Sequence, residues 1–187
     1  FHIKGNRTNN TDGVLATKGG SVVLGASTKV SDFHTGIKAS FGGKVYANTV
    51  LSTLNTGAGM VSQNNGYIQA NGSQSKDNTL HGYYSLDGGK MDVSNSKALN
   101  NNFHGYSAEA FGMMKSHGAE SAGNASAGFY ASAESFLDAT NGISNNNFIG
   151  FHCEYSAYLV QSGSTNEGNS VSHTPGVGGY NQYCYMQ

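Results

Sequence analysis

A glycine followed at once by an apolar residue, with a small residue two positions further on, recurs along the chain at a fixed spacing. The glycines are Gly13, Gly36, Gly59, Gly82, Gly105, Gly128 and Gly150, in steps of 23 with a last step of 22. With 27 glycines in 187 residues, seven chosen positions would all be glycine with a chance on the order of 10^-6 before allowing for the registers tried. The period therefore belongs to the fold. The apolar column reads Val14, Ile37, Met60, Tyr83, Tyr106, Phe129 and Phe151, and the small one Ala16, Ala39, Ser62, Ser85, Ala108, Ala131 and Cys153. Side chains two apart share one face of a strand, so these columns predict a first strand in each unit with both columns facing inward.

A second apolar column stands nine residues after each glycine: Val22, Val45, Ile68, Met91, Met114, Leu137 and Leu159. Leu24, Ala47, Ala70, Val93, Ser116, Ala139 and Gln161 follow two residues later, which predicts a second strand facing the same way. Between the strands, Gly20, Gly43, Gly66, Gly89 and Gly112 share one column, as a tight turn with a left-handed residue would require. Ser135 and Ala157 replace glycine in the last two copies, so a different turn is expected there. A polar column of Asp32, Asn55, Asn78, Asn101, Asn124 and Asn147, with Asn9 in phase, suits left-handed turns and amides hydrogen-bonded up a regular array.

Each unit thus reads as strand, turn, strand and a polar return rich in serine and asparagine. The best helical window, Ala108 to Met114, is interrupted by Gly112 and lies in register with the strand columns. The expectation is an all-β, elongated β-helix or β-solenoid of about 23 residues per unit, spanning residues 1–161. Residues 162–187 leave the period and carry Pro175, Gly176, Gly178 and Gly179, which reads as an irregular cap or transition segment. Two large and two small inward residues per unit make a thin core for one chain. An intertwined homotrimer, in which three copies converge on an axis, fills it better than a single-chain solenoid.

Composition narrows the chemistry. Charged residues are 11% of the chain and the formal net charge is −1, which argues against nucleic acid and against a basic membrane surface. No apolar run reaches membrane-spanning length, so no membrane insertion is expected. Cys153 and Cys184 could pair but define neither a disulfide framework nor a zinc site, and free thiols are the expectation. The chain opens on Phe1 in place of Met, which reads as a fragment or processed piece.

The segments Gly82-Tyr83-Tyr84-Ser85, Gly105-Tyr106-Ser107-Ala108 and Gly128-Phe129-Tyr130-Ala131-Ser132, with asparagine-rich turns such as Asn145-Asn146-Asn147, resemble the G-F-Y-A-type repeats of bacteriophage tail-fibre and tailspike stalks. The opening Phe1-His2-Ile3-Lys4-Gly5-Asn6 is similar to the exit from such a unit. The resemblance covers about residues 1–160 and implies homotrimeric, fibrous, β-structured shafts in the virion tail, some with secondary carbohydrate sites. The partners it implies are further copies of the chain, other phage tail proteins and host-surface polysaccharide or lipopolysaccharide. The irregular tail matches no chaperone domain of that family.

Catalytic machinery is not evident in the sequence. Glu109 and Glu154 share an outward column with Thr17, Ser40, Gln63, Leu86 and Ser132; two coils apart, they would lie about 10 Å from each other. That is a loose spacing for an inverting glycosidase, and a solvated surface is the simpler reading. His81 and His104 share a column with His34 beside it, expected to be surface or turn histidines and not metal ligands. No catalytic residue, metal or cofactor is expected. Of 20 Phe and Tyr residues, 15 lie at or after Tyr83. Tyr84, Tyr130, Tyr155, Tyr158, Tyr180 and Tyr183 stand outside the core columns and are the expected glycan-binding residues, because aromatic faces stack on sugar C–H faces while amides bind hydroxyls. The function expected is a structural shaft and receptor-binding segment of a phage tail fibre or tailspike. The alternatives are a fragment of a polysaccharide depolymerase and a non-phage trimeric adhesin at the bacterial cell surface.

Overall fold

In a computed structural model, which describes residues 1–7, 10–175 and 185–186, the chain winds into a single-chain β-solenoid. Every described element is a strand of two to five residues, and every strand pairing is parallel. Among the described residues there are three sheets of eight strands. The first begins with Asp12–Ala16 and Thr35–Ala39 and carries the glycine strands through Val171–Pro175. The second runs from Ser21–Val23 through Lys44–Tyr46 to Tyr185–Met186. The third runs from His2–Lys4 through Lys29–Ser31 to Thr165–Glu167. Successive strands within a sheet are one coil apart in sequence, with Ile37 opposite Met60, Val45 opposite Ile68 and Ser75 opposite Ala98.

The third sheet is what the hydrophobic pattern concealed, because the polar return contains a strand. Its inward column is Val30, Ser52, Ser75, Ala98, Ser121 and Ser144, all fully buried. The serine hydroxyls are satisfied by carbonyls of the glycine column: Ser52 donates to Gly59 at 2.8 Å, Ser75 to Gly82 at 2.7 Å and Ser121 to Gly128 at 2.9 Å. A buried hydroxyl with its own acceptor is tolerated in a core, so no apolar alternation is needed there. The glycines answer the same contact. A Cβ on Gly59 would lie 1.8 Å from the Ser75 hydroxyl, and one on Gly36 would lie 2.1 Å from that of Ser52.

This third side supplies the core filling that the two sequence-read strands lacked. The coil closes within one chain, and its core is sealed without a partner. Ile37, Met60, Tyr83, Tyr106, Phe129 and Phe151 face Val45, Ile68, Met114, Leu137 and Leu159, all at most 1% exposed. Tyr83, Tyr106, Phe129 and Phe151 stack in near-parallel steps of 5.0, 4.9 and 5.1 Å, each pair worth roughly 0.5–1.5 kcal/mol beyond its buried area. The hydroxyls of Tyr83 and Tyr106 meet those of Ser73 and Ser96 at 2.9 and 3.0 Å, so neither phenol is stranded.

The corners also depart from expectation. Between the first and second sheets the left-handed residues are the two preceding the glycine column, such as Phe41 and Gly42 or Asn64 and Asn65. Both central residues have positive φ and the turn closes from Gly43 to Ser40 at 2.9 Å, a type I′ geometry. Gly43, Gly66, Gly89 and Gly112 are glycine because a Cβ would come within 2.1–2.3 Å of a carbonyl in the preceding coil. Ser135 and Ala157 do not change the turn, since Ala133, Glu134, Tyr155 and Ser156 keep positive φ.

Asn55, Asn78, Asn101, Asn124 and Asn147 form the expected ladder, each amide passing a hydrogen bond of 2.8–2.9 Å to the next. Each amide oxygen also accepts a backbone N–H from the coil before it, as Asn101 does from Asn78 at 3.2 Å. Asp32 does not belong to the ladder. Ser31 pairs with Thr53, a step of 22, so Phe33 occupies the ladder position and donates its N–H to Asn55 at 3.1 Å. Asp32 takes the left-handed turn position and pairs with Arg7 at 2.8 Å. Asn9 lies outside the described residues.

Coiling also continues past residue 161. Thr165–Glu167 pairs with Ile143–Asn145, Val171–Pro175 pairs with Ile149–Cys153, and Asn169 extends the ladder by accepting from Asn147 at 2.7 Å. Cys153 is fully buried and disulfide-bonded, so the free-thiol expectation fails for it. The only other cysteine, Cys184, lies outside the described residues.

Candidate functional site

Outward positions of the first sheet gather the aromatic and acidic residues of the later coils. Tyr84 and Tyr130 follow an inward residue on their strands and therefore face out, half-buried. Two histidines lie under them. His81 stacks on Tyr84 and His104 on Tyr130, each with centroids 4.2 Å apart, and the two histidine rings are 5.3 Å from each other. Phe103 covers His104 at 4.1 Å.

Both phenols reach one coil onward to a carboxylate. Tyr84 donates to Glu109 at 3.2 Å and Tyr130 donates to Glu154. Ser107 also donates to Glu109 at 2.7 Å, and His152 stands 3.6 Å from Glu154. The acids are thus held in a hydrogen-bonded row and are not freely solvated side chains as the sequence suggested. Burial, reinforced by the neighbouring glutamates, pushes both tyrosine hydroxyls well above their ordinary range. Burial also lowers His81 to about 4 and, with the two flanking histidines, lowers His104 to about 2. They are neutral ring partners of the tyrosines at physiological pH. The Nδ1 of His104 accepts the Ala127 N–H at 3.1 Å, whereas that of His81 is buried without a partner.

Around the corner the second sheet carries a more open feature. Phe136 and Tyr158 precede inward leucines on adjacent strands, point outward and lie 6.3 Å apart at 27°. With Glu134, Ser135 and Ser156 they line a cleft of about 580 Å³. Tyr155 sits in the same corner turn with 55% of its surface exposed. A second cavity of about 240 Å³ shares Phe136 and continues over Met113, Lys90, Lys115 and Asp138. A third, of about 190 Å³, lies on the first sheet beside Tyr84, with Lys38, Gln63, Leu80 and Leu86.

Of the tyrosines singled out by sequence, Tyr84 and Tyr130 share the row on the first sheet, Tyr158 lines the corner cleft, and Tyr155 is exposed in the adjoining turn. Tyr180 and Tyr183 lie outside the described residues. Phe136 and Glu134 were missed, although Phe136 precedes the inward Leu137 and alternation alone turns it outward. Lysine and arginine are also less evenly scattered than a reading of the whole chain suggests. After Lys97 the only cation is Lys115, against Glu109, Glu120, Glu134, Asp138, Glu154 and Glu167. Because the coil converts position in sequence into position along the axis, the later half of the rod is acidic and the earlier half basic. Among the described residues no group of three or more acidic, histidine or cysteine side chains is placed to hold a metal.

Fold and site together define the molecule as a parallel β-solenoid with aromatic and acidic outer faces. No protein-family model, curated protein or solved structure matches the chain.

Proposed function

We propose that the chain is the shaft and receptor-facing segment of a phage tail fibre or tailspike, and that its later coils bind a host-surface glycan without cleaving it. The observation that carries this reading is the corner cleft. Phe136 and Tyr158 offer outward aromatic surface for sugar C–H groups, while Ser135, Ser156 and Glu134 offer hydroxyl and carboxylate groups to its polar rim. A stack of short strands with left-handed corners and an internal amide ladder supplies a stiff support for such a surface. The repeat pattern gives the phage assignment its weight, through its resemblance to tail-fibre and tailspike stalks.

The test is titration of the chain with fragmented capsular polysaccharide and lipopolysaccharide by calorimetry, alongside Tyr158→Ala. Saturable binding that weakens at least tenfold in Tyr158→Ala, with no oligosaccharide released on prolonged incubation, is expected. Binding unaffected by that substitution would remove the cleft from the proposal. Steady release of oligosaccharides that stops in Glu109→Gln or Glu154→Gln would favour the depolymerase reading, for which the one supporting observation is that these two carboxylates stand on one face, two coils apart.

A further inference from the structure

We infer that the corner cleft selects sugars bearing a free, protonated amine over their N-acetylated, neutral or acidic counterparts. This rests on the glycan-binding reading above and adds the chemical class of the ligand. The walls are Phe136 and Tyr158, and the faces of such rings attract a cation as well as sugar C–H groups. Glu134 is exposed at the rim, in a left-handed turn position that holds it away from the core. Glu154 begins the next turn along the same corner, directly before Tyr155.

The Glu109 and Glu154 carboxylates accept hydrogen bonds, but no lysine or arginine neutralises either of them or Glu134. Among the described residues, no lysine or arginine comes within ion-pair distance of Glu109, Glu134 or Glu154. Their hydrogen bonds come from neutral hydroxyls, Tyr84 and Ser107 on Glu109 and Tyr130 on Glu154, and His152 stands 3.6 Å from Glu154. Their histidine neighbours add no lasting positive charge, since burial lowers His81, His104 and His152. By contrast, Glu120 and Asp138, on the third and second sheets, each have a basic partner at 2.6 Å, Lys97 and His117. Beyond Lys115 the chain has no lysine or arginine at all. A uronic, sialic or phosphorylated sugar would bring like charge into this field, whereas an ammonium group is drawn into it and can settle against a ring face beside Glu134.

The experiment compares binding of a β-1,4-linked glucosamine tetramer with its fully N-acetylated form and with an oligouronate, by calorimetry at pH 6 and low ionic strength. At that pH amines are protonated and ordinary carboxylates ionised. The amine form should bind about tenfold more tightly than the acetylated one, from one exposed ion pair and one cation–ring contact. Most of that preference should vanish in Glu134→Gln and all of it in the Glu134→Gln, Glu154→Gln double variant, the amine tetramer losing about tenfold more affinity than the acetylated one, with the thermal midpoint as in the parent. Raising salt to 0.5 M should shrink the preference as well. Equal affinities, a preference that survives in the double variant, or tighter binding of the oligouronate would each overturn the inference. If the acetylated tetramer binds with no preference, the amine selection falls and the glycan reading stands; if no sugar of any class binds, both fall.

Discussion

Replacing Asn101 by alanine tests whether the amide ladder contributes to stability or merely decorates a fold held by its apolar columns. The Asn101 amide donates to Asn124 at 2.9 Å and to the Ser75 carbonyl at 3.1 Å, and its oxygen accepts the amide and backbone N–H of Asn78 at 2.9 and 3.2 Å. Alanine removes all four bonds. At roughly 0.5–1.5 kcal/mol each, with the Asn78 N–H left buried and unpaired, the loss should be about 3–5 kcal/mol. That is a large part of the 5–15 kcal/mol typical of a domain. Because each coil touches only its neighbours, the loss should be local. Urea denaturation should show the lower midpoint, and amide exchange should show faster opening from Ser75 to Asn124 than at Asp12 to Val45. Asn102→Ala, in the exposed residue next along, is the control and should change stability by under about 0.5 kcal/mol. Equal, small effects from the two substitutions would refute the reasoning and assign stability to the apolar columns alone.

Three further outcomes are expected. Gly59→Ala places a Cβ 1.8 Å from the Ser75 hydroxyl and 2.9 Å from the Gly82 carbonyl and should block folding, whereas Gly19→Ala, open but at φ +75, should cost about 1–2 kcal/mol; similar thermal midpoints for both would refute the steric account. His81 and His104 have folded pKa values below the ordinary 6.5, at about 4 and about 2. The unfolded chain therefore takes up protons first, and stability should fall as pH drops below about 6.5, by up to about 1.4 kcal/mol per pH unit for each histidine. The fall ends for His81 near its folded value of about 4, and a urea midpoint that stays flat between pH 7 and 5 would contradict it. Since one chain closes the described coils, diluting any oligomer should release folded monomers of 19.5 kDa with an unchanged circular dichroism spectrum; unfolding that coincides with dissociation would favour the intertwined arrangement.

Legibility in the sequence followed the chemistry of each side of the coil. The first two sheets advertise themselves through Val45, Ile68, Tyr83 and Tyr106, apolar residues that alternation turns inward. The third is hidden because Ser52, Ser75, Ser121 and Ser144 fill its inward column, and their acceptors are glycine carbonyls in another sheet. That omission led directly to the expectation of three chains. Spacing mislocated Asp32 for a related reason, since a step of 22 in one sheet is compensated a few residues later by an extra residue in the corner. At the candidate site, outward tyrosines could be read from alternation. Their pairing with Glu109 and Glu154 one coil onward could not, because it depends on how far a phenol reaches across the stack.

The asparagine ladder also makes the shaft something that can be counted. Every rung from Asn55 to Asn124 presents the same oxygen to the coil before it and the same amide to the coil after it, so any of these rungs can follow any other. Excising residues 83–105 would join Gly82 to Tyr106 and let Asn78 meet Asn124, with each column still facing its own kind. The rod would shorten by one strand spacing, about 4.8 Å. Duplication or loss of one genetic unit therefore alters length in whole steps without rebuilding the core, and would move a binding face toward or away from a surface by increments the amides themselves define.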